Sequence, residues 1–199
     1  FLQNQMICDL NEGYAIYRPR YILPDYNVYI KKGCEFLELP APKNLDEALD
    51  GLLILYSHVP SITTFPVYIG RLDMLLDPFI TDEEQDYIKI KRFLNHVDKT
   101  VPDSFCHANI GPYDTKAGRL ILKAVIELEA PTPNMTIRYD KSKTSREFAE
   151  LAAKACLLVS KPSFANDAYY ISDLGEQYGI ASCYNALPEC GGAYTLTRL

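Results

Sequence analysis

The sequence lacks any long apolar run, and its longest one, Leu52–Tyr56, is too short for a transmembrane helix. Residues 1–5 show no basic segment followed by an apolar core, so we do not expect a signal peptide there. Positive charge is not in excess either, since 20 Lys and Arg stand against 26 Asp and Glu. We therefore expect neither a nucleic-acid polymer nor a membrane among the partners of this chain.

Zinc-site and disulfide patterns are also missing, although the chain has six cysteines. No C-x-x-C occurs and no export signal is visible, so a disulfide framework or a structural metal is not expected. Cys156 falls in a helical pattern and Cys34 in a predicted hairpin, where a buried small side chain is the simplest interpretation. We expect a protein of a reducing cytoplasm that binds no metal.

The composition that is present is that of a folded chain. Of the 199 residues, 48% are hydrophobic and 23% are charged, which excludes intrinsic disorder as the main state. The chain begins without Met and ends on residues 193–199, whose alternation is typical of a strand. We therefore expect a segment of a longer polypeptide.

Helical and strand patterns alternate along the chain, which points to the α/β class. Strands are predicted within residues 14–39, 61–70 and 135–139. Helices with apolar positions on one face are predicted over residues 44–58, 81–97, 115–129 and 144–159. Residues 101–112, which include Cys106 and His107, and residues 163–179 are predicted as loops.

Capping signals open three of these predicted helices. Asn44 precedes the first of them and can accept a hydrogen bond from its initial turn. Thr81 with Glu84, and Thr144 with Glu147, have the spacing of capping boxes. These signals predict where the helices begin.

Two stretches carry polar residues that secondary structure alone does not require. Arg71 and Asp73 directly follow a predicted strand, where they could bind a ligand or form an ion pair that fixes the corner. Asn166 and Asp167 lie in a predicted loop, where they could bind a ligand or simply favour a turn. Both interpretations stay open at each position.

A third stretch, residues 178–192, holds Cys183 among small residues and between glycines. This pattern suits a thiol presented at a loop tip, although a plain buried cysteine is the alternative. Nucleophilic catalysis by a cysteine would need a base beside the thiol. His58, His96 and His107 could approach Cys183 only through the fold.

Taken together, in this order and spacing, the stretches resemble four motifs of the glycyl radical enzymes. Gly70–Phe79 is similar to the family's Gly-Arg-x-Asp-x-x-Leu-x-Pro-(Phe/Tyr) stretch, and Pro133–Arg138 to its Pro-Asn-Leu-(Thr/Ser)-(Val/Ile)-Arg strand. Pro162–Asp167 matches Pro-x-Phe-x-Asn-(Asp/Glu), and Tyr178–Cys183 matches Tyr-Gly-Ile-x-x-Cys. The sequence looks closest to the YjjI-type group of this family.

The resemblance implies part of a ten-stranded α/β barrel built from two antiparallel five-stranded halves. Residues 60–199 would be its motif-bearing portion, and residues 1–59, a weak match, would add strands and a helix. In this family a stored glycyl radical takes hydrogen from a cysteine thiol, and the thiyl radical then abstracts hydrogen from a small-molecule substrate. By match of motif, Cys183 would be that cysteine.

The resemblance also implies partners. A radical-SAM iron–sulfur activating enzyme would install the glycyl radical, no cofactor would be bound directly, and the enzyme would work anaerobically. None of the ten glycines stands in an Arg-Val-x-Gly-Tyr context. The radical glycine is therefore expected in the remainder of the polypeptide, so that this chain alone would be inactive. A homodimer is compatible with the sequence.

Two departures from the family pattern bear on the reaction. Ser182 precedes Cys183 where the pyruvate formate-lyases have a second cysteine, and Asn185 stands where dehydratase members have a glutamate. Both put those two chemistries in doubt. Residues 190–199 are similar to the stretch that follows the cysteine loop in anaerobic ribonucleotide reductases. Such an activity would need a second redox thiol, for which Cys106 and Cys190 are the candidates.

The substrate-binding candidates share a place within the four motifs or the cysteine loop. They are Arg71, Asp73, Asn134, Ser163, Asn166, Asp167 and Asn185. A hypothesis from another class is a non-catalytic binding or interaction domain that has retained the fold without the radical.

Overall fold

The centre of the molecule is a four-stranded sheet whose strands follow one another in the order β1-β2-β3-β4. The computed structural model describes residues 26–62, 67–100, 106–176, 178–180 and 187–188. All neighbouring strands of this sheet run parallel. The strands are β1 Val67–Arg71, β2 Cys106–Ile110, β3 Asn134–Tyr139 and β4 Ser163–Asn166. This parallel sheet confirms the predicted α/β class.

Helices precede and connect the strands of the sheet. The α-helices of the described ranges are α1 Tyr26–Lys32, α2 Leu45–Ile62, α3 Leu72–Leu76, α4 Glu83–Thr100, α5 Lys116–Glu127, α6 Arg146–Val159 and α7 Asp167–Leu174. Single 3-10 turns span Glu35–Leu37 and Asp77–Phe79, and a short antiparallel pair joins β5 Tyr178–Gly179 to β6 Leu187–Pro188. Across the part of the chain that the structure describes, every helix is too short or too polar to cross a membrane.

The two faces of the sheet differ in chemistry because strand residues alternate between them. One face is apolar: Ile69, Ala108 and Ile137 join Ile121 and Phe148 of the helices in the main core. The opposite face carries polar side chains that are nevertheless buried. These are Tyr68, His107, Asn109, Thr136 and Arg138. A parallel sheet of this kind needs cover on both faces, and the polar face is where a ligand or a loop can be bound.

Strand β2 corrects the expectation of a loop over residues 101–112, of which residues 101–105 lie outside the described ranges. All residues of Cys106–Ile110 are buried, and the strand lies between β1 and β3. Buried parallel strands usually have continuous apolar runs, but β2 carries His107 and Asn109 on its polar face. Because these two residues interrupt the apolar run, the sequence pattern did not indicate a buried strand here.

Helix α1 corrects the strands expected within residues 14–39, of which residues 14–25 lie outside the described ranges. Tyr26 and Tyr29 are both buried on one face of this helix. The Tyr29 hydroxyl donates to the Glu47 carbonyl at 2.9 Å, and the Tyr26 ring stacks on Tyr56 with 6.3 Å between centroids. Packing against α2 therefore overrides the β-propensity of Tyr, Val and Ile.

Residues 163–179, predicted as a loop, contain β4 and α7 instead. Strand β4 adds to the sheet beside β3, with Ala165 opposite Arg138. Asn166 then caps α7, because its side chain accepts from the backbone N–H of Tyr169 at 3.2 Å. The polar residues Asn166 and Asp167, which end the motif Pro162–Asp167, led to the prediction of a loop in place of both elements.

Asn44 caps α2 as the sequence predicts, with its Oδ1 2.9 Å from the backbone nitrogen of Glu47. Helix α6 begins one residue later than predicted. Ser145, and not Thr144, is its N-cap. The Thr144 hydroxyl instead accepts from the backbone N–H of Asp140 at 3.0 Å, within the turn that follows β3.

Helix α4 also begins one residue later than its predicted capping box. Asp82, and not Thr81, accepts from the backbone N–H groups of residues 84 and 85, at 3.1 and 3.2 Å. Asp86 reaches back and accepts from the backbone N–H groups of residues 81 and 82, at 2.8 and 2.9 Å. An aspartate pair thus replaces the predicted Thr81–Glu84 pair.

We expect Asp82→Ala to loosen the start of α4, because it removes the cap from two backbone N–H groups. A lost N-cap costs about 1 kcal/mol, so amide hydrogen exchange over residues 83–86 should accelerate about 5-fold. The measurement is hydrogen exchange of the full-length protein, resolved by mass spectrometry. Asp82→Ser, which keeps a cap, and Thr81→Ala should both leave this exchange near wild type. Equal acceleration by the Asp82 and Thr81 substitutions would contradict the assigned cap.

Candidate active site

The segment Tyr178–Ile180 lies on the polar face of the sheet and ends three residues before Cys183. Tyr178 and Ile180 are both buried there. Cys183 and Asn185 lie outside the described residues, and so does Cys190. The described groups that hold this segment therefore define the candidate site.

Asn109, on the polar face of β2, binds the backbone of Ile180. Its Oδ1 accepts from the Ile180 N–H at 3.0 Å, and its Nδ2 donates to the Ile180 carbonyl at 2.8 Å. The Tyr68 hydroxyl donates to the same Oδ1 at 2.8 Å. A carboxamide offers both a donor and an acceptor, so Asn109 satisfies both buried backbone groups as a neighbouring strand would.

Arg138 of β3 binds the beginning of the segment. Its Nε donates to Asp167 Oδ1 at 2.8 Å, and its two Nη atoms donate to the carbonyls of Glu176 and Tyr178, at 3.2 and 3.4 Å. Only 2% of Arg138 is exposed, and Asp167 is fully buried. A planar guanidinium can direct several N–H groups at once, which suits this buried position.

Tyr178 is held by both its ring and its hydroxyl. The Arg138 guanidinium lies 3.9 Å from the ring centroid, a distance typical of a cation–π contact. The ring also stacks on Tyr170, with 5.3 Å between centroids, and the hydroxyl donates to Asp167 Oδ1. The residue that opens the Tyr-Gly-Ile motif is therefore fixed on three sides.

Gly179 packs directly on the ring of Tyr68. A Cβ atom at this position would lie 2.7 Å from the ring, closer than real Cβ contacts come. Glycine is required here by close approach. The Tyr and Gly of the Tyr-Gly-Ile pattern thus each have a local cause.

Arg138, Asp167, Tyr178 and Lys143 form a cluster in which opposite charges stabilise each other. Burial opposes ionisation of Asp167, but hydrogen bonds from Tyr178 and Arg138 outweigh it and lower the pKa of the carboxyl. Burial raises the pKa of Tyr178, and the neighbouring carboxylate raises it further. Lys143 adds a second cation, with Nζ 3.5 Å from Asp167 Oδ2. The cluster is therefore an ion pair beside a neutral tyrosine at neutral pH.

Asp73 ties the carboxyl ends of β1 and β2 together. Its Oδ2 accepts from the backbone N–H of Gly111 at 2.8 Å and from the hydroxyl of Thr115 at 3.4 Å. The carboxyl is fully buried, and this burial raises its pKa to about 6. Hydrogen bonds and the charge of Arg71 counteract part of the rise.

The other candidate residues fall at two ends of the sheet. Arg71 is the last residue of β1 and pairs in register with Asn109, while Asp167 follows the end of β4. Asn134 and Ser163 are instead the first residues of β3 and β4. The structure therefore brings Arg71, Asn166 and Asp167 to the carboxyl ends of the strands and leaves the other two at the amino ends.

Cys106 lies at the amino end of β2 and on its apolar face. It belongs to the main core, is 1% exposed, and its sulfur contacts the Tyr56 hydroxyl. Burial raises the pKa of the thiol to about 12, so it stays protonated at neutral pH. Asn109, which holds the segment before Cys183, is on the opposite face of the same strand.

The sequence prediction missed Asn109 and Tyr68, and it did not select Arg138 although Arg138 closes a motif. A signal was present in the polar–apolar alternation of residues 107–110 and 136–138. Polar residues at every second position of a strand indicate a distinct second face. That face is the one that binds the segment Tyr178–Ile180.

Parallel strands with polar groups gathered at their carboxyl ends define an α/β scaffold of the kind that carries its site at that edge. The chain belongs to the family described as glycyl radical enzyme YjjI-like, whose family model matches residues 1–199. The resemblance noted from the four motifs is thereby confirmed.

Two curated relatives match the whole chain. An uncharacterized protein of Haemophilus influenzae is 94% identical over 199 residues, and the uncharacterized protein YjjI of Escherichia coli is 48% identical over 201 residues. The chain spans 39% of the length of each relative. This coverage agrees with the expected segment of a longer polypeptide.

We expect Gly179→Ala to displace the segment, because its methyl group would overlap the ring of Tyr68. Overpacking of this kind costs about 1–3 kcal/mol. The loss should appear as faster amide exchange at residues 178–180 of the full-length protein. Combining Gly179→Ala with Tyr68→Leu should restore part of the protection by making room. Independent, additive effects of the two changes would contradict the contact.

Asp73 should make stability depend on pH. Its pKa rises from 3.8 to about 6 on folding, so its stabilising contribution is complete below pH 3.8 and is lost as pH rises to about 6. The variant Asp73→Asn cannot ionise and should gain up to about 3 kcal/mol relative to wild type over that range. The measurement compares the thermal unfolding of both proteins between pH 4 and about 7. A constant difference across that range would contradict the assigned pKa.

Proposed function

We propose that this chain is the cysteine-bearing barrel segment of a glycyl radical enzyme, with Cys183 as the residue that abstracts hydrogen from substrate. One observation supports the proposal above all. The segment Tyr178–Ile180, which ends three residues before Cys183, is bound by Asn109 and Arg138 on the polar face of a parallel sheet. A thiyl radical must be held firmly and away from solvent, which a loop anchored inside a barrel achieves.

The sheet is compatible with one half of the ten-stranded barrel. Helices cover one face, as on the outside of a barrel, while the other face is polar and binds a segment of chain. In this proposal β1–β4 are four of the five strands of one half. The remainder of the polypeptide supplies the other half and the radical glycine.

The chemistry moves one hydrogen atom at a time. The Cys183 thiol gives its hydrogen atom to the glycyl radical, which leaves a C–H bond on the glycine and the unpaired electron on sulfur. The sulfur then takes a hydrogen atom from a C–H bond of a small-molecule substrate, which becomes the radical. Each step transfers a proton and an electron together and therefore needs no external oxidant.

The protein's part in this chemistry is to hold the substrate and to shield the radical from solvent. Arg71, the last residue of β1, pairs in register with Asn109 and offers a cation to a polar substrate. A radical-SAM activating enzyme is the proposed partner that installs the glycyl radical. A reducing, anaerobic cytoplasm is the setting that suits this reaction, and the free thiols of Cys34, Cys106 and Cys156 are compatible with it.

The position of Cys106 argues against it as the second redox thiol of a ribonucleotide reductase-like reaction, while Cys190, the other candidate, lies outside the described residues. That reaction would need a second thiol facing Cys183. Cys106 packs in the apolar core beside Tyr56, on the face opposite to the bound segment. Its raised pKa also keeps it a neutral thiol, which is a poor reductant.

The proposal predicts that Cys183 relays hydrogen between solvent and the radical glycine. In D₂O the thiol carries deuterium, and transfer to the glycyl radical leaves one hydrogen and one deuterium on the α-carbon. Return of the hydrogen to sulfur leaves deuterium beside the unpaired spin. In the activated full-length protein, the electron paramagnetic resonance splitting from the α-hydrogen should therefore collapse with time.

The control for this experiment is a second cysteine. Cys183→Ala should form the radical but abolish the collapse, whereas Cys156→Ala, on the partly exposed face of α6, should retain it. If the α-hydrogen of the glycyl radical exchanges at the wild-type rate in Cys183→Ala, the assignment of Cys183 is wrong. Activation that yields no radical in the wild-type protein would favour the non-catalytic binding domain.

A further inference from the structure

Each residue of Tyr178–Ile180 is recognised by a different part of the sheet. Arg138 stacks on the ring of Tyr178, and the ring of Tyr68 packs on Gly179. Ile180 differs because Asn109 holds it through both of its backbone groups. Asn109 therefore binds position 180 through groups that every non-proline residue offers.

This arrangement fixes a register. A strand-like segment advances about 3.3 Å per residue, so a slip by one position would move Cys183 by about that distance. The slip would bring Gly179 or Ala181 opposite Asn109 and would carry Gly179 away from the ring of Tyr68. The backbone clamp of Asn109 and the close approach at Gly179 thus select the same alignment.

The orientation of the Asn109 carboxamide is itself determined. The Tyr68 hydroxyl donates to Oδ1, which leaves Nδ2 as the atom that faces the Ile180 carbonyl. Asn109 is fully buried, so none of these groups can turn to water instead. An aspartate here would lack the donor and would turn a negative oxygen toward a carbonyl.

We propose that Asn109 is a positioning residue, which sets the place of the Cys183 thiol through the backbone of Ile180. This inference rests on the proposed function, because it matters only if Cys183 relays hydrogen. Asn109 acts through Ile180 and takes no part in bond breaking. Hydrogen-atom transfer requires near contact, and a misplacement of about 1 Å can slow a reaction about 100-fold.

The test uses activated full-length protein with Asn109→Ala and Asn109→Asp. Two quantities are measured under anaerobic conditions: the glycyl radical content by spin counting, and the rate at which the α-hydrogen splitting collapses in D₂O. We expect a radical content near wild type and a collapse that is about 10- to 100-fold slower in both variants. A purely structural role would lower the radical content with stability and leave the rate per radical unchanged.

Asp86→Ala is the matched control. Asp86 is also a buried side chain that binds two backbone groups, at the start of α4. Its contacts lie away from Tyr178–Ile180. The variant should lose stability as the Asn109 variants do, yet keep the wild-type rate of collapse per radical.

The outcomes separate the two proposals. If the α-hydrogen splitting collapses at the wild-type rate in the Asn109 variants but not in Cys183→Ala, the positioning role is overturned and the proposed function stays intact. If the splitting collapses at the wild-type rate in Cys183→Ala, the proposed function itself is overturned.

If both Asn109 variants fail to fold, Tyr68→Phe provides the test, because it removes only the hydroxyl bound to Asn109 and keeps the ring on Gly179. Slower collapse in Tyr68→Phe supports the role, and a wild-type rate overturns it.

Discussion

The buried ion pair between Arg138 and Asp167 is the constraint around which the polar half of the molecule is built. Burying two charges is unfavourable unless hydrogen bonds and neighbouring charges compensate for the lost hydration. Tyr178 and two backbone carbonyls supply such hydrogen bonds, and Lys143 supplies a second cation 3.5 Å from Asp167 Oδ2. The segment before Cys183 is therefore part of what makes the ion pair tolerable, and removing one would leave the other unsatisfied.

The division of the sheet into two faces explains how one small scaffold serves two purposes. The apolar face supplies stability by packing against helices, and its residues are interchangeable within limits of volume. The polar face supplies geometry, since each of its hydrogen bonds specifies a distance and a direction. In strands β2 and β3 successive side chains alternate between the apolar and the polar face. A shift of register by one residue would therefore disturb both the packing on one face and the hydrogen bonds on the other.

The sequence predicted the elements whose signals are local. Helices α2, α4, α5 and α6 follow from apolar periodicity, with the caps of α4 and α6 one residue past the predicted ones. Strands β2 and β4 were missed because polar residues interrupt them. Asn109 of β2 is explained by its bonds to Ile180, which is distant in sequence, and Asn166 of β4 by its role as the cap of α7. The motifs located Asp167 and the Tyr-Gly-Ile segment. Nothing local revealed that Asn109 would bind a residue 71 positions later.

The attachment of Ile180 through a side chain has a consequence for motion. A strand joined by a full ladder separates only when many backbone hydrogen bonds break together, whereas Ile180 depends on one carboxamide. Loss of these two hydrogen bonds would free the backbone of Ile180 while β1–β4 stay paired. Local opening of this kind needs far less free energy than unfolding of the sheet. The backbone of Ile180 is thus attached separately from the strand pairing that stabilises the sheet.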